Sequence, residues 1–182
     1  MSKSALLVID LQNEYLPTGK LPLVNIEQVV ANAVKVMAKA RQEATPVIHV
    51  QHVANGESPI FESGSNGIEF QETVQPQVDE PVVIKNQINA FLNTNLKEIL
   101  DTNEVTDLVV IGAMSHMCID AVVRAASDYG YKVKVIHDAC ATLDLEFNGI
   151  KVPAAHVHAA IMSAFEFAYA QVISTEDYLT KD

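Results

Sequence analysis

The chain has 182 residues, 49% hydrophobic and 19% charged. That length suits one domain with a full core, here taken as residues 1–182, and that composition excludes a disordered or fibrous chain. With 23 acidic against 12 basic residues the net charge is −11, and no Lys/Arg cluster offers a nucleic acid the basic patch it needs.

In chain order, the first candidate strand covers residues 5–9 and ends at Asp10. Its apolar run is too short for a signal-peptide core, and no stretch approaches the roughly 18 apolar residues of a membrane span. Asn25 is suited to cap a helix over residues 26–43, where Val29, Val30, Ala33, Val36, Met37 and Ala40 recur at helical spacing. Strands are expected at 46–51, 81–84, 107–111, 132–137 and 170–174, most of them continuously apolar as buried parallel strands are. Thr94 can cap a short helix holding Leu96, Ile99 and Leu100. A third helix runs from near Cys118 to Tyr129 and is stopped by Gly130. A fourth covers 153–168, with Pro153 in its first turn. Residues 52–80, rich in Gly and Pro, read as one long loop of the kind that often carries function. Strand–helix alternation predicts an α/β domain with a mainly parallel sheet. Cys118 and Cys140 belong to no CxxC pair and read as two reduced thiols. The expectation is a cytoplasmic protein with no membrane or nucleic-acid partner.

Three polar residues fall at strand ends. Asp10 follows the first strand, Lys85 the third, and Cys118 lies just past the fourth at a helix start. Open α/β sheets bind ligands at the carboxyl ends of their strands, at the point where strand order reverses. In a 3-2-1-4-5-6 order, which periodicity does not supply, Asp10 and Cys118 flank that point. A helix N-terminus and a nearby Lys both lower a thiol pKa, and a carboxylate can take the proton. Each residue also has an ordinary reading: a small buried hydrophobe, a turn-forming Asp, a Lys reaching solvent.

At these same residues the sequence resembles the isochorismatase-like cysteine hydrolase superfamily, which includes nicotinamidases and carbamoylsarcosine amidases. The matching stretches are ALLVIDLQNEY (5–15), EPVVIKNQINAF (80–91) and LVVIGAMSHMCIDAVVRAASDYGYKVKVIHDACAT (108–142), with SPIFESGSNGIEF (58–70) between. The resemblance implies a three-layer α/β/α domain with a six-stranded parallel sheet in the order 3-2-1-4-5-6. It implies a catalytic triad of Asp10, Lys85 and Cys118, and a cis peptide at Ala113–Met114. It further implies an oxyanion hole from the amides of Met114 and Cys118. The reaction implied is hydrolysis of a C–N bond in a small molecule through a thioester.

The sequence departs from the nicotinamidase pattern after the second strand, where VIHVQHVANG lacks the Asp of an Asp-x-His…His metal site. His49 and His52, three apart on a strand, face opposite sides, so no metal and no cofactor is expected. Gln12, Tyr15, Phe91 and His116 are candidate substrate contacts, although Gln12 is equally able to tie down a loop and Phe91 to pack in the core. Cys140 is expected beneath the end of the fifth strand. The small apolar residues of the fourth helix suit a homodimer or homotetramer. The alternatives are a metal-dependent nicotinamidase-type amidase, a vinyl-ether hydrolase of the isochorismatase type, and a binding module on the same fold.

Overall fold

A computed structural model of the protein describes residues 3–180. Its sheet has six parallel strands in the order β3-β2-β1-β4-β5-β8. These are β1 (Ser4–Ile9), β2 (Val47–His52), β3 (Val82–Lys85), β4 (Asp107–Ala113), β5 (Lys132–Ala141) and β8 (Gln171–Ile173). The expected order therefore holds, except that the sixth sheet strand is the eighth in the chain. Apolar side chains alternate to the two sheet faces. Leu6 and Val8 meet α1 (Ile26–Gln42), while Ala5, Leu7 and Ile9 share a core with α2 (Leu96–Thr102), α3 (Asp120–Asp128) and α4 (Ala154–Ala168). Helices thus cover both faces, as buried parallel strands require.

Helix boundaries follow from the same patterns. The buried stripe of α1 is Ile26, Val29, Val30, Ala33, Val36, Met37 and Ala40. Asn25 precedes it in the left-handed region (φ 56°) and makes no side-chain cap bond, so it enters the helix as a turn residue and not as the expected cap. Gly130, at φ +89°, ends α3.

A hairpin and a last short helix were not expected. Residues 145–152 form a hairpin of β6 (Leu145–Phe147) and β7 (Ile150–Val152) around Asn148 and Gly149, both at positive φ. That is the backbone a two-residue Asn-Gly turn favours. The short α5 (Thr175–Thr180) packs back on α1.

Gly112 lies where β4 runs closest to β1. It pairs with Ile9 at φ +127°, and a Cβ there would sit 2.0 Å from the Ile9 carbonyl oxygen. Gly112→Ala therefore combines a backbone clash with an unfavourable φ. The expected loss is on the order of 3 kcal/mol in urea unfolding, or no folded protein at all.

The end of the long 53–80 connection is pinned by Glu80. Its carboxylate accepts from Arg41 Nε (2.7 Å) and Nη2 (2.8 Å) on α1, from the buried His49 Nε2 (2.9 Å), and from the Gln77 amide (2.9 Å). Partial burial opposes ionisation, but the Arg41 bonds win and hold the carboxyl at about 2. A folded-state pKa depressed in this way contributes stability above the ordinary Glu range, and that stability is lost as pH falls towards 2. Glu80→Gln is expected to cost about 2 kcal/mol at neutral pH, with the gap to wild type closing in acid. Thermal melts at several pH values check this.

Candidate active site

The carboxyl edge of the sheet gathers Asp10, Lys85 and Cys118. Asp10 leaves β1 in the left-handed region (φ 52°), a conformation Asp tolerates better than most residues, with its amide bonded to Val50 O on β2. Lys85 is the last residue of β3. The Ala113–Met114 peptide is cis. After it the chain makes a π-type turn over Ser115–Ile119 that presents Cys118 just ahead of α3. Asp10 and Lys85 are fully buried, and Cys118 is 3% exposed.

Lys85 Nζ is the hub. It lies 2.9 Å from Asp10 Oδ2 and donates to Cys118 Sγ at 3.2 Å. It also donates to His52 Nδ1 at 2.8 Å and to the Gln87 carbonyl at 3.1 Å. Burial works to discharge this ammonium, but the Asp10 and Cys118 charges outweigh it and raise its pKa. The thiol differs from expectation. Burial, then the Asp10 carboxylate, pushes Cys118 well above the usual thiol range, and the opposing pull of Lys85 is smaller. The site therefore stores a thiol with a base beside it, and not a ready-made thiolate. Burial with Asp10 and Cys118 likewise raises the Tyr15 hydroxyl.

The other candidates divide. Tyr15, 1% exposed, stands near the triad with its ring edge-on to Phe61 at 5.3 Å. His116, in the turn before Cys118, shares a 2.7 Å bond with Thr142 Oγ1 past the end of β5. Gln12 is committed to the backbone, as the loop-tying reading allowed. Its amide donates to the carbonyls of His52 (2.9 Å) and Ile68 (2.7 Å), and its Oε1 accepts from the His52 amide (2.8 Å). Every polar atom of that carboxamide is used to tie β2 to residue 68. Phe91 packs against Tyr129 (5.1 Å) and Tyr131 (6.3 Å), beyond α3 and at the start of β5, so it belongs to the core and not to a pocket wall. Cys140 is buried where β5 returns to pair with Gly112.

Sequence reasoning gave His52 a structural or pocket-lining role and no place beside the triad. It ends β2, opposite Lys85 in register, and packs its ring on Phe61 at 4.9 Å. Burial and the Lys85 cation lower its pKa, with Asp10 opposing. His49 lies on the other face, against Glu80 and Phe70, so the two histidines share no metal. Among the described residues, donor atoms of Asp10, His52 and Cys118 approach within 4.8 Å of one another. The Lys85 ammonium hydrogen-bonds His52 and Cys118 and ion-pairs with Asp10, so a cation already sits against all three. These residues do not fit a nicotinamidase-type metal centre.

Comparison with known proteins identifies the family. The isochorismatase domain matches residues 4–177. YddQ of Bacillus subtilis (strain 168), an uncharacterised isochorismatase family protein, is 46% identical over 177 residues, 97% of this chain and 98% of its own. The crystal structure of a putative isochorismatase hydrolase from Oleispira antarctica superposes with a TM-score of 0.96 at 51% identity. That match covers 99% of this chain and 97% of the other. Nicotinamidase 3 of Arabidopsis thaliana is 31% identical over 91% of this chain and 83% of its own. The chain belongs to the isochorismatase family, and it is a hydrolase.

Proposed function

We propose that this hydrolase cleaves a C–N bond, amide or carbamoyl, in a small molecule, with Cys118 as nucleophile. The observation that carries this reading is the single buried ammonium of Lys85 in contact with both Asp10 and Cys118. A lone buried thiol is ordinary. A buried thiol sharing a cation with a buried carboxylate is a nucleophile, a base and a charge stabiliser in one place. Nicotinamidase 3, among the relatives, adds support.

The reaction runs in two halves. The Cys118 proton passes to Asp10 as sulfur bonds to the substrate carbonyl carbon, and backbone amides of Met114 and Cys118 receive the oxyanion. The intermediate collapses, the C–N bond breaks, and Asp10 returns the proton to the leaving amine. A thioester remains. Asp10 then takes a proton from water as its oxygen attacks the thioester, and the sulfur leaves with that proton. Lys85 stays charged throughout and offsets the negative charge that moves between carboxylate, sulfur and oxyanion.

Hydrolysis of a panel of small amides and carbamoyl compounds, without added metal, tests this reading. Amides should give acid and amine in equal amounts, carbamoyl compounds CO2 and the two amines, and intact mass should show an acyl adduct on Cys118 under rapid quench. Turnover with an adduct on another residue, or turnover that requires added metal, overturns it.

A further inference from the structure

We propose that His52 is a positioning residue of this site: it accepts one proton of the Lys85 ammonium and so holds that charge against Cys118. The inference rests on the reading of Cys118 as nucleophile.

The topology makes a group at this place necessary. Lys85 ends β3 and Asp10 follows β1, with β2 between them. Neighbouring strands lie about 4.8 Å apart, so the lysine side chain must cross the end of β2 to reach its partners. The residue it crosses is His52, its register partner. An ammonium has three protons, and three hydrogen bonds use them, to Cys118, His52 and the Gln87 carbonyl; Asp10 Oδ2, 2.9 Å away, is an ion-pair partner that accepts none of them. Two of the three acceptors, His52 and the carbonyl, bear no charge when His52 is neutral. They satisfy ammonium protons without neutralising the cation, which stays available to sulfur and carboxylate.

The imidazole is built in. Gln12 grips both the amide and the carbonyl of His52, and Phe61 covers its ring. Titratable groups facing this cluster are Asp10 from the end of β1, Lys85 from β3, Cys118 from the turn after β4, and Tyr15. Because lysine can only donate, Nδ1 must be the unprotonated nitrogen. Without that acceptor one proton of a buried ammonium is left unsatisfied, the charged form of Lys85 is disfavoured, and Cys118 gives up its proton less readily.

Alkylation of Cys118 by iodoacetamide, located by peptide mass and followed across neutral to alkaline pH, reads this without any substrate. His52→Leu should slow alkylation about tenfold at a fixed pH below the thiol's midpoint, moving the profile to higher pH. His52→Asn, whose Oδ1 replaces Nδ1, should keep the wild-type profile. If His52→Leu does not fold, His52→Gln serves, since its carbonyl falls at the wrong distance and should behave as Leu. An unchanged profile in His52→Leu, or an Asn variant as slow as Leu or Gln, overturns the proposal. Lys85→Met separates the two ideas. If it shifts the profile and His52→Leu does not, only the His52 role fails; if Lys85→Met leaves the profile unmoved, the proposed Lys85–Cys118 chemistry fails with it.

Discussion

Cys118→Ala is expected to reduce hydrolysis on the order of 10⁴-fold or more, the scale seen when a covalent nucleophile is removed from a site whose parts act as a unit. The expectation follows from the geometry. Asp10 and Lys85 are fully buried around the sulfur, so little else in that space can take over attack on a carbonyl. Alanine is preferred to serine because a hydroxyl would keep the contact with Lys85 and blur the result. Activity should be followed by product release with each substrate the wild type accepts. A variant retaining activity within about tenfold would remove Cys118 from the mechanism, because no general acid–base role for a thiol accounts for so small a loss.

Lys85→Met is expected to cost both turnover and stability. The ion pair with Asp10 is inaccessible to solvent on both sides. Removing one member strands a buried carboxylate, which costs about 3–5 kcal/mol in comparable cases. Urea unfolding measures this. The double variant Asp10→Asn/Lys85→Met should recover most of the stability, since both charges are gone, and none of the activity. Recovery of stability with permanent loss of turnover would separate the charge held for chemistry from the charge held for folding. A single Lys85→Met variant as stable as wild type would mean that water or another cation reaches Asp10.

Much of this arrangement was legible beforehand, for physical reasons. Short apolar runs such as ALLVI and LVVI are too brief for helices and too uniform for surface strands, so the buried sheet could be placed. Asp10 and Lys85 each close such a run and Cys118 follows another by a few residues at a helix start, so the three could be assigned to one edge. What escaped depended on three dimensions. His52 is the register partner of Lys85, and register is not written in periodicity. The sign of the Cys118 shift depends on how completely the loops cover the sulfur, which outweighs the lysine beside it. Phe91 could be read from sequence as pocket wall or core, and what decides for the core is its neighbours Tyr129 and Tyr131, which arrive from the far end of α3. The hairpin is the one omission with a visible local signal: Asn148-Gly149 between Phe147 and Ile150 is a strong turn motif.

The Gln12 clamp sets how this enzyme can change. One carboxamide fastens the chain at His52 and again at Ile68, and the backbone between residues 11–13 and 69–71 is bonded in register beside it. The stretch from 53 to 67 therefore begins and ends at fixed points that do not depend on its own length or composition. Lengthening such a segment is cheap, about 0.6 kcal/mol for each doubling. Exchange of that stretch leaves the triad's surroundings in place only where an aromatic ring is kept at Phe61, which packs on His52 and Tyr15. The loop is in this sense free in length and bound at one ring, with a buried glutamine marking where the fixed frame of the sheet edge stops.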